Sequence, residues 1–120
     1  MKTVLVVDDS ALVRRQVSNA LKGAGYEAVE AVDGLDARDK LAATPAISMI
    51  VCDVTMPRMN GMEFLGSLAQ DGTFKGAILM LTTEGKPELI ARAKSLGAKG
   101  WLVKPFKPDL LLAAVAKLAV

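Results

Sequence analysis

The 120 residues leave room for one domain, 1–120, and their 52% hydrophobic content suffices for a core without disulfide or metal staples. Fifteen Lys and Arg against thirteen Asp and Glu give a net charge of only +2, with no basic run or aromatic-interleaved patch, which argues against a nucleic-acid partner. The absence of histidine excludes a Ser-His-Asp triad, a His-ligated zinc and a phosphohistidine on this chain, and the lone Cys52 permits no intramolecular disulfide and suits a reducing compartment.

The chain opens with one Lys and the apolar run Val4–Val7, which two aspartates interrupt. That stretch is too short and too acidic for a signal peptide, and no run approaches membrane-spanning length, so a soluble, cytoplasmic protein without membrane contact is expected. Val4–Val7, Ala28–Val29 with its flanks, Met49–Cys52, Ala77–Leu81 and Trp101–Val103 read as strands. Most are continuous apolar runs, the pattern of parallel strands covered on both faces.

Helices fill the gaps. Ser10 is an N-cap candidate before Val13, Val17, Ala20 and Leu21, with Gly23 or Gly25 as the stop. Asp33-Gly34 opens a second helix with Leu35, Arg38 and Leu41. Asn60 and Glu63 have capping-box spacing ahead of Phe64, Leu65 and Leu68. Pro87 suits the first turn of a helix carrying Leu89, Ile90, Ala93 and Leu96, ended by Gly97. The last helix starts near Pro108 and runs to the C-terminus. Its apolar residues Leu110, Leu111, Leu112, Val115, Leu118 and Val120 are spread around the axis, so some are expected to stay exposed for a partner or a second copy.

Five strand–helix units of this length define an open α/β sheet with helices on both faces. In such sheets function gathers at the carboxyl ends of the strands, and those ends carry Asp8 and Asp9, then Asp53, then Thr82, then Lys104. Three crowded carboxylates need a cation, and an all-oxygen site with room for water suits magnesium. Asp9 and Asp53 are the candidates for direct ligation, with Asp8 contributing directly or through water. A carboxylate can act as the nucleophile toward phosphorus. Magnesium and Lys104 on opposite sides would neutralise the transferring oxygens, and the Thr82 hydroxyl would hydrogen-bond the phosphoryl group. Singly, each feature has a plain structural reading, as a helix N-cap, a strand end or a loop lysine; their joint occurrence at successive strand ends is what points to chemistry.

These residues resemble the response-regulator receiver family, particularly stand-alone chemotaxis regulators of the CheY type. The resemblance rests on Val6-Val7-Asp8-Asp9-Ser10, Asp53-Val54-Thr55-Met56-Pro57 with Asn60-Gly61, Leu81-Thr82-Thr83-Glu84, and Gly100-Trp101-Leu102-Val103-Lys104-Pro105-Phe106. It implies an acidic metal pair at Asp8 and Asp9, a phosphoacceptor at Asp53, a metal-ligating backbone carbonyl at Thr55, a switch hydroxyl at Thr82 and an active lysine at Lys104. It also implies a five-stranded parallel, flavodoxin-like sheet in the order 2-1-3-4-5 and a cis Lys104–Pro105 bond.

The function implied is that of a two-component signalling protein rather than an enzyme acting on separate substrates. A histidine kinase would be the phosphodonor, and the output would be phosphorylation-dependent binding to a protein such as a flagellar motor switch component or another phosphorelay protein, with a phosphatase as a further partner. Trp101 stands where receivers usually carry Tyr or Phe, which makes Thr82 and Trp101 the expected switch pair. Thr83 occupies a position often held by a smaller residue, and Thr55 and Glu84 sit where the family tunes phosphoryl lifetime. The alternatives are a phosphorylation-independent module of the same fold or a phosphorelay intermediate. An aspartyl phosphatase is disfavoured because Asp53-Val54-Thr55 lacks the second Asp of an Asp-x-Asp pair, and a flavin binder because acidic strand ends repel its phosphate.

Overall fold

The computed structural model describes residues 2–118; Val120, expected on the last helix, lies outside them. Five strands, β1 (Thr3–Val7), β2 (Glu27–Ala31), β3 (Ile47–Cys52), β4 (Ala77–Thr82) and β5 (Gly100–Val103), alternate with five helices, α1 (Ala11–Gly23), α2 (Gly34–Ala43), α3 (Gly61–Asp71), α4 (Pro87–Ser95) and α5 (Pro108–Leu118). All strand pairs are parallel, in the order β2-β1-β3-β4-β5 that the resemblance implied.

The apolar runs divide by the two-residue period of a strand. Leu5, Val7, Ile50, Cys52, Ile78 and Met80 face α2, α3 and α4 through Ala37, Phe64, Leu65, Leu68 and Ala93. Their neighbours Val4, Val6, Met49, Val51, Leu79 and Leu81 face α1 and α5 through Val17, Leu21, Leu111 and Val115. A strand covered on both sides needs an apolar residue at every position, which is why the central runs are unbroken. The edge strands β2 and β5 are less buried, and β2 exposes Glu27 and Glu30.

The helix ends follow local chemistry. Ser10 Oγ accepts from Val13 N–H at the start of α1. Asn60 and Glu63 form the full capping box of α3, with both reciprocal hydrogen bonds present, and Gly72 ends it at φ 71°. Pro87 opens α4, and Gly97, at φ 111°, follows its end. On α2 the inward side is built from Gly34, Ala37 and the partly buried Leu41, while Leu35 is exposed. Ala37 packs into the core beside the sheet, and Gly34 lies against Met59 of the loop after β3. On α5, Leu111 and Val115 are buried and Leu110 stays 57% exposed, beside partly buried Leu112 and Leu118. Among the described residues, no helix is long and apolar enough to cross a membrane.

Candidate functional site

The strand order reverses at β1, so the chain leaves β1 for β2 on one side and β3 takes up the other. A crevice at such a reversal lies beyond the carboxyl ends of the neighbouring strands. Val7 and Cys52 are register partners there, and Asp53 N–H donates to Val7 carbonyl at 2.9 Å, so the residues that follow, Asp8 and Asp53, stand side by side. One carboxylate oxygen each from Asp8, Asp9 and Asp53 lies within 4.8 Å of the other two. Asp8 is 3% and Asp53 7% exposed, whereas Asp9 faces solvent.

Lys104 completes the cluster from two strands away. Its N–H donates to Thr82 carbonyl at 2.8 Å, continuing the β4–β5 pairing by one residue. Its ammonium then donates to Asp8 Oδ2 at 2.7 Å and to Asp53 Oδ2 at 3.0 Å. Burial alone would lower the Lys104 pKa, but the hydrogen bonds with Asp8 and Asp53 more than reverse that and hold it above its ordinary value. Burial pushes the Asp8 carboxyl upward, against the opposing pull of Lys104 and of Ser10 N–H. Both remaining carboxylate oxygens are also engaged: Asp8 Oδ1 accepts from Ser10 N–H at 2.9 Å and Asp53 Oδ1 from Val54 N–H at 2.6 Å.

Thr82 ends β4 and is fully buried, its Oγ1 accepting from Glu84 N–H at 3.3 Å. Trp101, on β5, is partly buried against the α4 side of the core, and its Nε1–H donates to Glu84 carbonyl at 2.9 Å. Thr55 lies in the loop between β3 and α3, two residues beyond Asp53, with its side chain exposed. Thr83 is exposed and lines a cleft beside Lys104, together with Val13, Gln16, Phe106 and Pro108. The Lys104–Pro105 peptide is cis.

Two supporting groups have no counterpart in the sequence reading. Arg14, on α1, donates from Nη1 to Asp8 carbonyl at 2.6 Å and from Nε to Glu30 at 3.2 Å, tying the acidic turn to β2. Arg58 pairs with Asp33, a residue whose sequence signal was only that of a helix start. Neither arginine belongs to a spacing pattern that marks its role; both act by reaching another element.

An open parallel sheet carrying three carboxylates, a bridging lysine and a buried hydroxyl at its carboxyl edge defines a class, and the chain belongs to it: the response regulator receiver domain family, whose sequence profile matches residues 4–116. The chain is similar to chemotaxis protein CheY1 of Helicobacter pylori, with 40% identity over 110 residues, 90% of this chain and 89% of that protein. Among solved structures it resembles chemotaxis protein CheY4 of Vibrio cholerae, with a TM-score of 0.92, 44% identity and 98% of each chain covered. It also resembles the CheX–CheY complex with beryllofluoride and magnesium from Borrelia burgdorferi, with a TM-score of 0.90, 30% identity, and 99% of this chain and 90% of that chain covered.

Proposed function

We propose that the protein accepts a phosphoryl group on Asp53 from a histidine kinase in a magnesium-dependent reaction and signals by phosphorylation-dependent protein binding. The observation that carries this reading is the ammonium of Lys104 shared between Asp8 and Asp53 beside exposed Asp9. Three carboxylates against one ammonium leave two negative charges uncompensated, and their donor atoms are all oxygens, which fits a divalent magnesium ion. Asp8, Asp9, Asp53 and the Thr55 carbonyl are the groups to hold it. Bound there, magnesium supplies charge neutralisation for the transferring phosphoryl oxygens.

The chain's own residues do the rest. One carboxylate oxygen of Asp53 forms the new O–P bond as the P–N bond to the donor imidazole breaks, and the departing nitrogen keeps the electron pair. Lys104 gives up one of its two carboxylates to meet a phosphoryl oxygen. The Thr82 hydroxyl turns from Glu84 N–H to another phosphoryl oxygen. No separate substrate is turned over, so the protein is a phosphoacceptor rather than an enzyme in the usual sense. The chemotaxis names of its relatives favour a flagellar motor switch component as the output partner, acting in the cytoplasm. The CheX-bound neighbour favours a further protein that recognises the phosphorylated form, as a phosphatase would.

Acetyl phosphate with magnesium should add one acid-labile phosphoryl group to the wild type and none to Asp53→Asn. Equal labelling of the two proteins removes Asp53 as the acceptor.

A further inference from the structure

Asp33 is 1% exposed and does more than cap α2. Its Oδ1 accepts from Asp36 N–H at 2.9 Å, which is the cap, and also from Arg58 Nη2 at 3.0 Å, while Oδ2 accepts from Arg58 Nε at 2.6 Å. A cap needs one oxygen, which an Asn supplies equally well. The second oxygen and the negative charge are therefore directed at Arg58, in the two-pronged geometry that a guanidinium matches.

Arg58 occupies a costly backbone position. Its φ of 61° makes it the non-glycine residue at positive φ among the described residues, and Met59 N–H donates to Pro57 carbonyl at 2.7 Å, closing a tight three-residue turn around it. Such a residue persists where surrounding contacts over-determine it. The contacts here are the ion pair and a second bond over the same gap, Gly34 N–H to Met59 carbonyl at 2.9 Å. A Cβ on Gly34 would meet that same carbonyl oxygen at 2.8 Å, so the approach is close. At its other end the loop is closed by Gly61 N–H to Val54 carbonyl at 2.8 Å. Between these pins lie Thr55, Met56 and Pro57.

We propose that Arg58 is a positioning residue: clamped on Asp33, it fixes the loop that follows Asp53, and thereby sets magnesium affinity although it ligates nothing itself. The inference rests on the proposed metal site and adds a residue to its machinery. Outer groups that orient a metal's ligands commonly matter about 10–100-fold in affinity. Positioning and simple charge predict opposite signs. Removing a cation near a cation site favours magnesium on charge alone, whereas losing the clamp weakens it.

The test is magnesium titration by calorimetry on wild type, Arg58→Gly, Arg58→Lys, Asp33→Asn and the Arg58→Gly/Asp33→Asn double variant. Glycine accepts the left-handed backbone while removing the clamp, so Arg58→Gly should stay folded, melt lower by the lost ion pair, and bind magnesium about tenfold more weakly. Arg58→Lys keeps the charge but not the fork, and should also weaken binding. The double variant restores the charge balance and should be no weaker than the weaker single one. Wild-type affinity or tighter binding in Arg58→Gly overturns the proposal while leaving the metal site intact. A wild type that binds no magnesium removes the metal site itself, and the positioning role with it.

Discussion

The indole of Trp101 donates from Nε1 to the carbonyl oxygen of Glu84 at 2.9 Å. The same residue's N–H donates to Thr82 Oγ1, so one peptide-linked residue couples the hydroxyl of β4 to the indole of β5. Moving the hydroxyl toward a phosphoryl group on Asp53 takes away the acceptor that Glu84 N–H now uses. The loop after β4 must then find a new arrangement, and the indole hangs on that loop by its carbonyl.

Trp101 is the only tryptophan, so its emission reports this link directly. Magnesium with beryllofluoride should change its emission and quencher access beyond the change from magnesium alone. Thr82→Ala lacks the hydroxyl and should show only the magnesium effect. A phosphoryl mimic shifts the equilibrium only through contacts that differ between the two states. Equal responses in both proteins, or none beyond magnesium, break the Thr82–Trp101 coupling.

Lys104→Met should destabilise the metal-free protein. It leaves two buried carboxylates facing each other without their shared ammonium. Removing one partner of a fully buried pair costs roughly 3–5 kcal/mol, and the slightly open Lys104 side chain places this loss nearer about 2–3 kcal/mol. Saturating magnesium should recover much of it, since the ion neutralises the same oxygens. Urea midpoints with and without magnesium measure both effects; a variant as stable as wild type without metal means the lysine does not hold the site together.

Much of the fold and most of the cluster were legible because burial on both faces writes itself as unbroken runs. Val4–Val7 and Met49–Cys52 are each followed by a charge at the carboxyl edge of the sheet, and that break is what placed Asp8 and Asp53. The edge strand β2 was legible only at Ala28–Val29, since its flanking Glu27 and Glu30 are exposed and carry no apolar signal. The inward side of α2 was not legible, because an apolar residue near a helix start, such as the exposed Leu35, says nothing about which side faces the sheet. The Glu84 link was invisible because it runs through main-chain atoms that every residue possesses. Arg58 was invisible because arginine has no preference for the left-handed region, so its backbone shape comes from Asp33 and not from its own identity.

The Arg58–Asp33 pair should also appear in acid. The hydrogen bonds from Arg58 hold the Asp33 carboxyl below its ordinary value of 3.8. A lowered native value stabilises the fold fully above 3.8, and that contribution fades as pH falls through the lowered value. Arg58→Ala lacks it at every pH. The stability gap between wild type and Arg58→Ala should therefore be constant through the neutral range and narrow below 3.8, as read from urea midpoints at successive pH values. A gap that widens in acid contradicts the assignment.

Gly61 supplies the sharpest prediction about the phosphoacceptor. It begins α3 directly after its Asn60 cap, a position where most residues are tolerated, so the helix itself does not require glycine. The reason lies across the loop: a Cβ built there collides with the carbonyl oxygen of Asp53 and meets Val54 Cα at 2.9 Å. Both are main-chain atoms and cannot swing aside as a side chain would. Gly61→Ala must push the Asp53–Val54 peptide, which also carries the N–H that holds Asp53 Oδ1 at 2.6 Å. Overpacking of this kind costs about 1–3 kcal/mol, a loss that leaves most domains folded. The displacement falls on the residue that is to attack phosphorus, and misplacement of a reacting group by about 1 Å costs on the order of 10²-fold in rate. Gly61→Ala should therefore remain folded by circular dichroism, lose modest thermal stability, and label with acetyl phosphate far more slowly than its stability loss accounts for. Asn60→Ala serves as the control: it removes the cap, costs about 1 kcal/mol, and leaves the Asp53 peptide untouched. If the two variants label at equal rates, the close packing of Gly61 on Asp53 has no part in aligning the nucleophile.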